Sequence, residues 1–194
     1  MPLISKTQLP RLSPNVRMSN PAAKRQIKDA ASRSIKSGGR YDIFLSHSFL
    51  DADDVLLLKE YLESLGLTVF VDWIESPELD RTEVTPETAA YLRSVIDRSS
   101  SLLYAISANA SKSRWMPWEL GYGDGVHGRV AIVPITDQQT ASEAYTGQEY
   151  LGLYPYVTLT DDNRGVRNLW VNESASTYVN LKSWLNGAVP KYHP

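Results

Sequence analysis

From Tyr41 onward the chain alternates short runs of β-branched, aromatic and aliphatic residues with longer stretches whose apolar residues recur every three or four positions. The runs are Tyr41 to Ser46, Leu67 to Val71, Leu102 to Ile106, Val130 to Ile135 and Tyr156 to Leu159. None alternates polar with apolar residues, so each reads as a strand covered on both faces rather than one with a wet side. Between them, Asp51 to Leu65 sets Val55, Leu58, Leu62 and Leu65 on one helical face and meets Gly66 as its stop. Thr85, Pro86 and Glu87 supply an N-cap, a first-turn proline and a dipole-complementing acid for a helix running to about Arg98. A third helix is expected to begin near Ser113 and include Glu119, and a last one to run from about Ala175 to Leu185. Crossovers between parallel strands are right-handed, so the pattern predicts an α/β, flavodoxin-like fold: a five-stranded parallel sheet in the order 2-1-3-4-5 with helices on both faces.

In such sheets ligands sit outside the carboxyl ends of the strands. That rule points to Ser46 to Asp51, to Asp72 to Val84 and to the segment after Ile106. A chain of 194 residues, 42% hydrophobic and 22% charged, can build one such core without covalent staples. The absence of cysteine excludes disulfides, thiolate nucleophiles and cysteine metal sites, and makes a reducing cytoplasm the expected setting. His47, His127 and His193 are scattered without paired-ligand spacing, so no metal site is expected. No Walker loop and no Gly-x-Ser-x-Gly elbow occurs. The run Gly121-x-Gly123-x-Gly125 follows a helical segment, whereas a dinucleotide fingerprint follows a strand; it reads as helix ending and close packing.

Charge divides the chain unevenly. Residues 1–40 carry nine Lys and Arg against the single acid Asp29, a net +8, which with −2 overall leaves −10 on the remainder. The first 18 residues hold three prolines and no periodicity and read as an extended arm or a disordered tail. A basic amphipathic helix is expected at about 20–37: Asn20 or Ser19 caps it, Pro21 opens it, Ile27, Ala31 and Ile35 recur four apart, and Gly38-Gly39 end it. Docking on the acidic body or on a neighbouring subunit, nucleic-acid binding and anionic-membrane binding are all open to such a helix. A basic, serine-rich, acid-poor leader is also how organellar transit peptides look, though no apolar core of a secretory signal is present. The expected division is therefore a basic extension, 1–40, and a catalytic or signalling domain, 41–190.

Five segments, in order, carry a family resemblance across about residues 41–187. Tyr41-Asp42-Ile43-Phe44-Leu45-Ser46-His47-Ser48 resembles the first strand and loop of Toll/interleukin-1 receptor (TIR) domains, and Val69-Phe70-Val71-Asp72-Trp73 their second strand. Ile96-Asp97-Arg98-Ser99-Ser100 with Tyr104-Ala105-Ile106-Ser107 is similar to their second helix end and third strand. Ser113-Arg114-Trp115-Met116-Pro117-Trp118-Glu119-Leu120 matches their Ser-x-Trp-x-x-x-Glu-Leu segment, and Val133-Pro134-Ile135 their fourth strand. The resemblance implies cleavage of NAD+, as substrate rather than cofactor, at the nicotinamide–ribose bond, with Glu119 as the essential carboxylate and Trp115 one helical turn before it. The chemistry suits a lone carboxylate: the pyridinium leaves without needing a proton, and a carboxylate near the ribose stabilises cationic charge that grows only in the transition state.

Ser46, His47 and Ser48 stand at a strand's carboxyl end, where they suit ribose or phosphate contacts or simply cap the next helix. Active members of the family often carry arginine just after that serine, where this chain has His47, Ser48 and Phe49. Asp72 and Trp73 are pocket-edge candidates; Asp72 could equally hold its own loop through backbone amides. Trp115 is expected near the pocket and Trp118 in packing. Without the resemblance, Glu119 would read as an exposed acid satisfying its helix dipole. The loop 73–84 sets Glu75, Glu78, Asp80 and Glu83 against Arg81 alone, which suits contact with another protomer better than with a pyrophosphate.

Three functions stay open at this level. One is an enzyme yielding ADP-ribose, a cyclic isomer or a transfer product, similar to TIR proteins of Thoeris-type bacterial anti-phage systems in which a cyclic ADP-ribose signal activates a separate effector. The second is a non-catalytic TIR–TIR interaction module, and the third a virulence effector. Head-to-tail homo-oligomers are implied for the first two.

Overall fold

The computed structural model describes residues 2–13, 39–71, 85–107, 110, 113–137, 145, 147 and 149–194. The helix expected at about 20–37 and the loop 73–84 lie outside the described residues. In chain order the elements are β1 (Ile4–Ser5), α1 (Leu9–Leu12), β2 (Ile43–Ser46), α2 (Ala52–Ser64), β3 (Val69–Phe70), α3 (Pro86–Ile96), β4 (Leu102–Ile106), α4 (Met116–His127), β5 (Val130–Thr136), β6 (Tyr156–Asp161), β7 (Arg167–Asn172), β8 (Thr177–Asn180), α5 (Leu181–Leu185) and β9 (Lys191–Tyr192). Short 3-10 turns occupy Phe49–Asp51 and Glu149–Leu153.

The strands line up as β3-β2-β4-β5-β6-β7-β8-β9. The first five of these are mutually parallel. Numbered within that parallel set they follow the expected order, 2-1-3-4-5. Alternate side chains of each strand feed two separate cores, as a doubly covered sheet requires. Ile43, Leu45, Leu103, Ala105, Ala131 and Val133 pack with α2 and α5 on one face. Phe44, Leu102, Tyr104, Val130, Ile132 and Tyr156 pack with α3 and α4 on the other. The predicted capping of α3 holds, since the Thr85 hydroxyl accepts from the Thr88 amide at 3.1 Å.

Residues 2–13 are no tail. Ile4 and Ser5 pair in parallel with Ile135 and Thr136 of β5, and the Pro2 carbonyl accepts from the Leu159 amide of β6 at 3.2 Å. This two-residue strand wedges between β5 and β6, which pair directly only at Ile132 and Tyr156. Ile4 and Leu9 are completely buried, and the Lys6 ammonium lies 2.8 Å from the Asp137 carboxylate and 3.7 Å from that of Asp54. Two paired residues leave no periodicity to detect; their stability comes from a slot built by strands more than a hundred positions away.

The carboxyl-terminal part also departs from the expected five strands. β6 turns back through Asp162, whose carboxylate accepts from the backbone amides of Arg164 and Val166 and is held below the usual carboxylate range by those bonds. Gly165 supplies the left-handed residue at φ +75°, and β7, β8 and β9 follow antiparallel. The buried Asn172 amide of β7 donates to the Tyr156 carbonyl and the Thr158 hydroxyl of β6, pinning the two strands. The expected helix from Ala175 to Leu185 shrinks to Leu181–Leu185. Thr177, Tyr178 and Val179 are β-branched or aromatic and extend as a strand, and the Asn180 side chain then caps the helix by accepting from the Lys182 amide at 3.0 Å.

The glycines of α4 divide the sequence reading. Gly121, Gly123 and Gly125 lie inside the helix, which ends only at left-handed Gly128, φ 57°. Close packing does apply at Gly123, where an added Cβ would stand 2.7 Å from Leu102 Cδ1. Among the described residues no helix is long and apolar enough to cross a membrane.

Two substitutions test this architecture by urea denaturation. Ile4→Ala is expected to lower unfolding free energy by about 2–4 kcal/mol; a change within about 0.5 kcal/mol would show that β1 contributes nothing to the core. Gly123→Ala is expected to lower it by about 1–3 kcal/mol by overpacking against Leu102, whereas the same change at open Gly125 is expected to be neutral or mildly stabilising, as alanine outranks glycine in a helix.

Candidate active site

The buried stripe of α4 is Met116, Glu119, Leu120 and Gly123, an i, i+3, i+4, i+7 pattern in which one position is a carboxylate. Glu119 therefore points at the sheet with its apolar neighbours and is only 1% exposed, not the exposed helix-terminal acid that the isolated sequence suggests. Gly123, one turn further on, lets the helix approach Leu102 closely enough to bring Glu119 over the end of β2. There the Ser46 hydroxyl donates to Glu119 Oε2 at 2.6 Å, a short, charge-assisted bond between residues 73 positions apart. Position in the first turn of α4 adds the favourable end of the helix dipole.

The other predicted residues divide. His47 and Ser48 are buried beside Ser46 at the carboxyl end of β2. His47 Nδ1 lies 3.0 Å from the Leu45 carbonyl; a carbonyl can only accept, so Nδ1 carries the proton. The Ser48 carbonyl accepts from the Asp51 amide at 2.9 Å and starts the turn into α2. Trp115 precedes α4, is 4% exposed and belongs to the core under Glu119's helix. Its ring meets Trp118 edge-on at 5.5 Å, and Trp118 stacks on Tyr122 at 5.7 Å beneath the Arg93 guanidinium, in the packing role expected of it. Asp72 and Trp73 lie outside the described residues.

One residue next to the site escaped the sequence reading. Tyr104 of β4 pairs in register with Ser46, is 3% exposed, and has its phenol pushed up to about 12, chiefly by burial and further by neighbouring Tyr150, Glu119 and Tyr145. Within the run Leu102 to Ile106 it looks like any buried strand aromatic; only register singles it out.

The bond between Ser46, at the end of the first long strand of the parallel sheet, and Glu119, on the helix after the third, joins two of the segments that resemble TIR domains. The TIR domain family model matches residues 43–170, and the chain belongs to that family. Among curated proteins it is 48% identical, over 86% of each chain, to a protein of Bacillus cereus (strain MSX-D12) named "Probable 3' cyclic ADP-D-ribose synthase ThsB'". It is also 22% identical over 113 residues, 58% of this chain and 30% of the relative, to a Cytobacillus dafuensis protein named "Putative cyclic ADP-D-ribose synthase TIR2".

The Ser46–Glu119 contact can be measured by a double-mutant cycle. Ser46→Ala and Glu119→Gln are expected to couple by about 1–3 kcal/mol in unfolding free energy; effects that add within about 0.5 kcal/mol would remove the contact from the account of the fold.

Proposed function

We propose that this chain cleaves NAD+ at the nicotinamide–ribose bond and joins the ADP-ribose to itself as a cyclic signal, with ADP-ribose as the hydrolytic side product, in bacterial anti-phage defence. The observation that carries the reading is the buried Ser46–Glu119 pair at the carboxyl end of the parallel sheet. A carboxylate taken out of water costs stability that an apolar residue on the same helical stripe would not, so its retention favours a chemical role over a structural one. The similarity to two proteins named as cyclic ADP-D-ribose synthases points the same way.

In this reading Glu119 is the catalytic group and Ser46 orients it. The bond from the ribosyl carbon to nicotinamide breaks, its electron pair stays on the nicotinamide nitrogen, and the carboxylate stabilises the positive charge left on the ribose. We assign the substrate side to His47, Ser48 and Trp115, with Asp72 and Trp73, outside the described residues, as further candidates. Glu119 is 1% exposed, so a nucleotide reaches it only when neighbouring groups move aside. Assembly is a natural trigger for that opening, and we assign the chain head-to-tail contacts with copies of itself through its TIR surface. A cyclic nucleotide acts only by binding, so a separate effector protein must receive it. Residues 2–13 complete the sheet, and we assign the rest of the basic segment 1–40 to contact with the acidic body, 41–190, or with a neighbouring copy, and the cysteine-free chain to the cytoplasm.

The test is incubation of the full chain with NAD+ over a range of protein concentrations, with and without a crowding agent, and chromatography of the products. Nicotinamide release is expected, steepening with concentration, and Glu119→Gln is expected to lower it by at least about 100-fold. No release from the crowded, concentrated protein, or equal release from the variant, would sink the catalytic reading.

A further inference from the structure

The row of side chains that holds Glu119 continues past Ser46. Register sets Tyr104 of β4 beside Ser46, Ile132 of β5 beside Tyr104, and Tyr156 of β6 beside Ile132. Residues paired across parallel strands project to the same face, and this is the face that α4 covers. Tyr104 thus stands one strand spacing, about 4.8 Å, from the serine that bonds Glu119. At the far end of the row the Tyr145 ring packs 6.1 Å from that of Tyr156.

Tyr104 is almost completely buried, yet its hydroxyl makes no hydrogen bond to a described residue. A phenylalanine would fill the same core volume, so packing accounts for the ring and not for the oxygen, which is not one of the fully buried, unpartnered polar atoms among the described residues and so stays open to a partner from outside the core. The phenol, pushed up to about 12, keeps its proton at any physiological pH and cannot serve as a base; it can only hold another group by a hydrogen bond. Its neighbour across the strands is Ser46, which bonds Glu119, so the group it can hold is one brought up beside that pair.

What arrives there decides the product. Once nicotinamide has left with its electron pair, an acceptor oxygen bonds to the ribosyl carbon and its proton passes to the Glu119 carboxylate and on to solvent. Water as acceptor gives ADP-ribose, and a ribose hydroxyl of the same molecule gives a ring. The outcome depends on which oxygen is held within bonding reach.

We propose that Tyr104 is a specificity-determining residue of this site: its hydroxyl hydrogen-bonds the substrate's own acceptor hydroxyl beside Glu119, and its ring keeps water from that position, so that ring closure outruns hydrolysis. The inference rests on the catalytic reading of Glu119 and adds the group that chooses the acceptor. Tyr104 is not needed to break the nicotinamide bond, which separates its effects from those of Ser46 and Glu119.

The experiment compares the full chain with its Tyr104→Phe variant, which keeps the ring and hence the core, under the concentrated conditions that give turnover. Nicotinamide, ADP-ribose and cyclic product are quantified together, and a thermal melt accompanies each sample. The melting temperature is expected to stay within a few degrees and nicotinamide release within about threefold, while the ratio of cyclic product to ADP-ribose falls by about fivefold or more, the scale of one lost hydrogen bond. An unchanged ratio overturns the inference whether total turnover stays or falls. So does a parent protein that releases nicotinamide but forms only ADP-ribose, and in both cases the role of Glu119 survives. A parent that releases no nicotinamide defeats the role of Glu119 itself and this inference with it.

Discussion

The close approach of α4 to the sheet is the constraint on which the site depends. Gly123 lies against Leu102, where no larger residue fits without displacement, and that contact fixes the height of the helix above β4. One turn earlier on the same stripe, Glu119 is carried to the end of β2 and meets the Ser46 hydroxyl. Had the helix stood off by the radius of a methyl group, the carboxylate would lie in a gap that water could enter. A packing choice at a glycine therefore sets the solvation of a carboxylate.

The two faces of the sheet divide the labour. One face, with α2, α5 and the amino-terminal α1, is a large aliphatic core whose polar insertions are structural: Lys59, buried in α2, donates to the Val69 carbonyl and ties β3 in place. The other face is richer in aromatic rings and carries the Ser46, Tyr104 and Glu119 groups. Tyr104 keeps its proton so firmly chiefly because its phenol is buried, and in that low-dielectric layer the charges of neighbouring groups, Glu119 among them, add to the effect. Segregating chemistry to one face leaves the other free to be an ordinary core.

The margins of the sheet show how topology uses pieces too short to stand alone. A two-residue strand is not stable in isolation, but β1 enters a slot where β5 and β6 diverge and both offer unpaired backbone groups. On the far side, β7 to β9 extend the parallel sheet with antiparallel strands pinned through Asn172. The turn signal for that hairpin, Asp162-Asn163-Arg164-Gly165, stands in the sequence, but its strand partner carries only the three apolar residues Leu169 to Val171 between Asn168 and Asn172, shorter than the runs that mark the buried parallel strands.

Much was determined by the sequence alone: five short, largely apolar runs separated by helical periodicity point to a parallel sheet covered on both faces, and the Ser-x-Trp-x-x-x-Glu-Leu segment marks Glu119. These are local properties, since strand and helix periods and cap residues act within a few positions. Only the tertiary structure decided that Glu119 is buried and bonded to Ser46, that residues 2–13 complete the sheet, and that Tyr104 stands beside that serine. Each of those facts depends on strand register or on helix height above the sheet, and both are settled by packing between residues far apart in the chain.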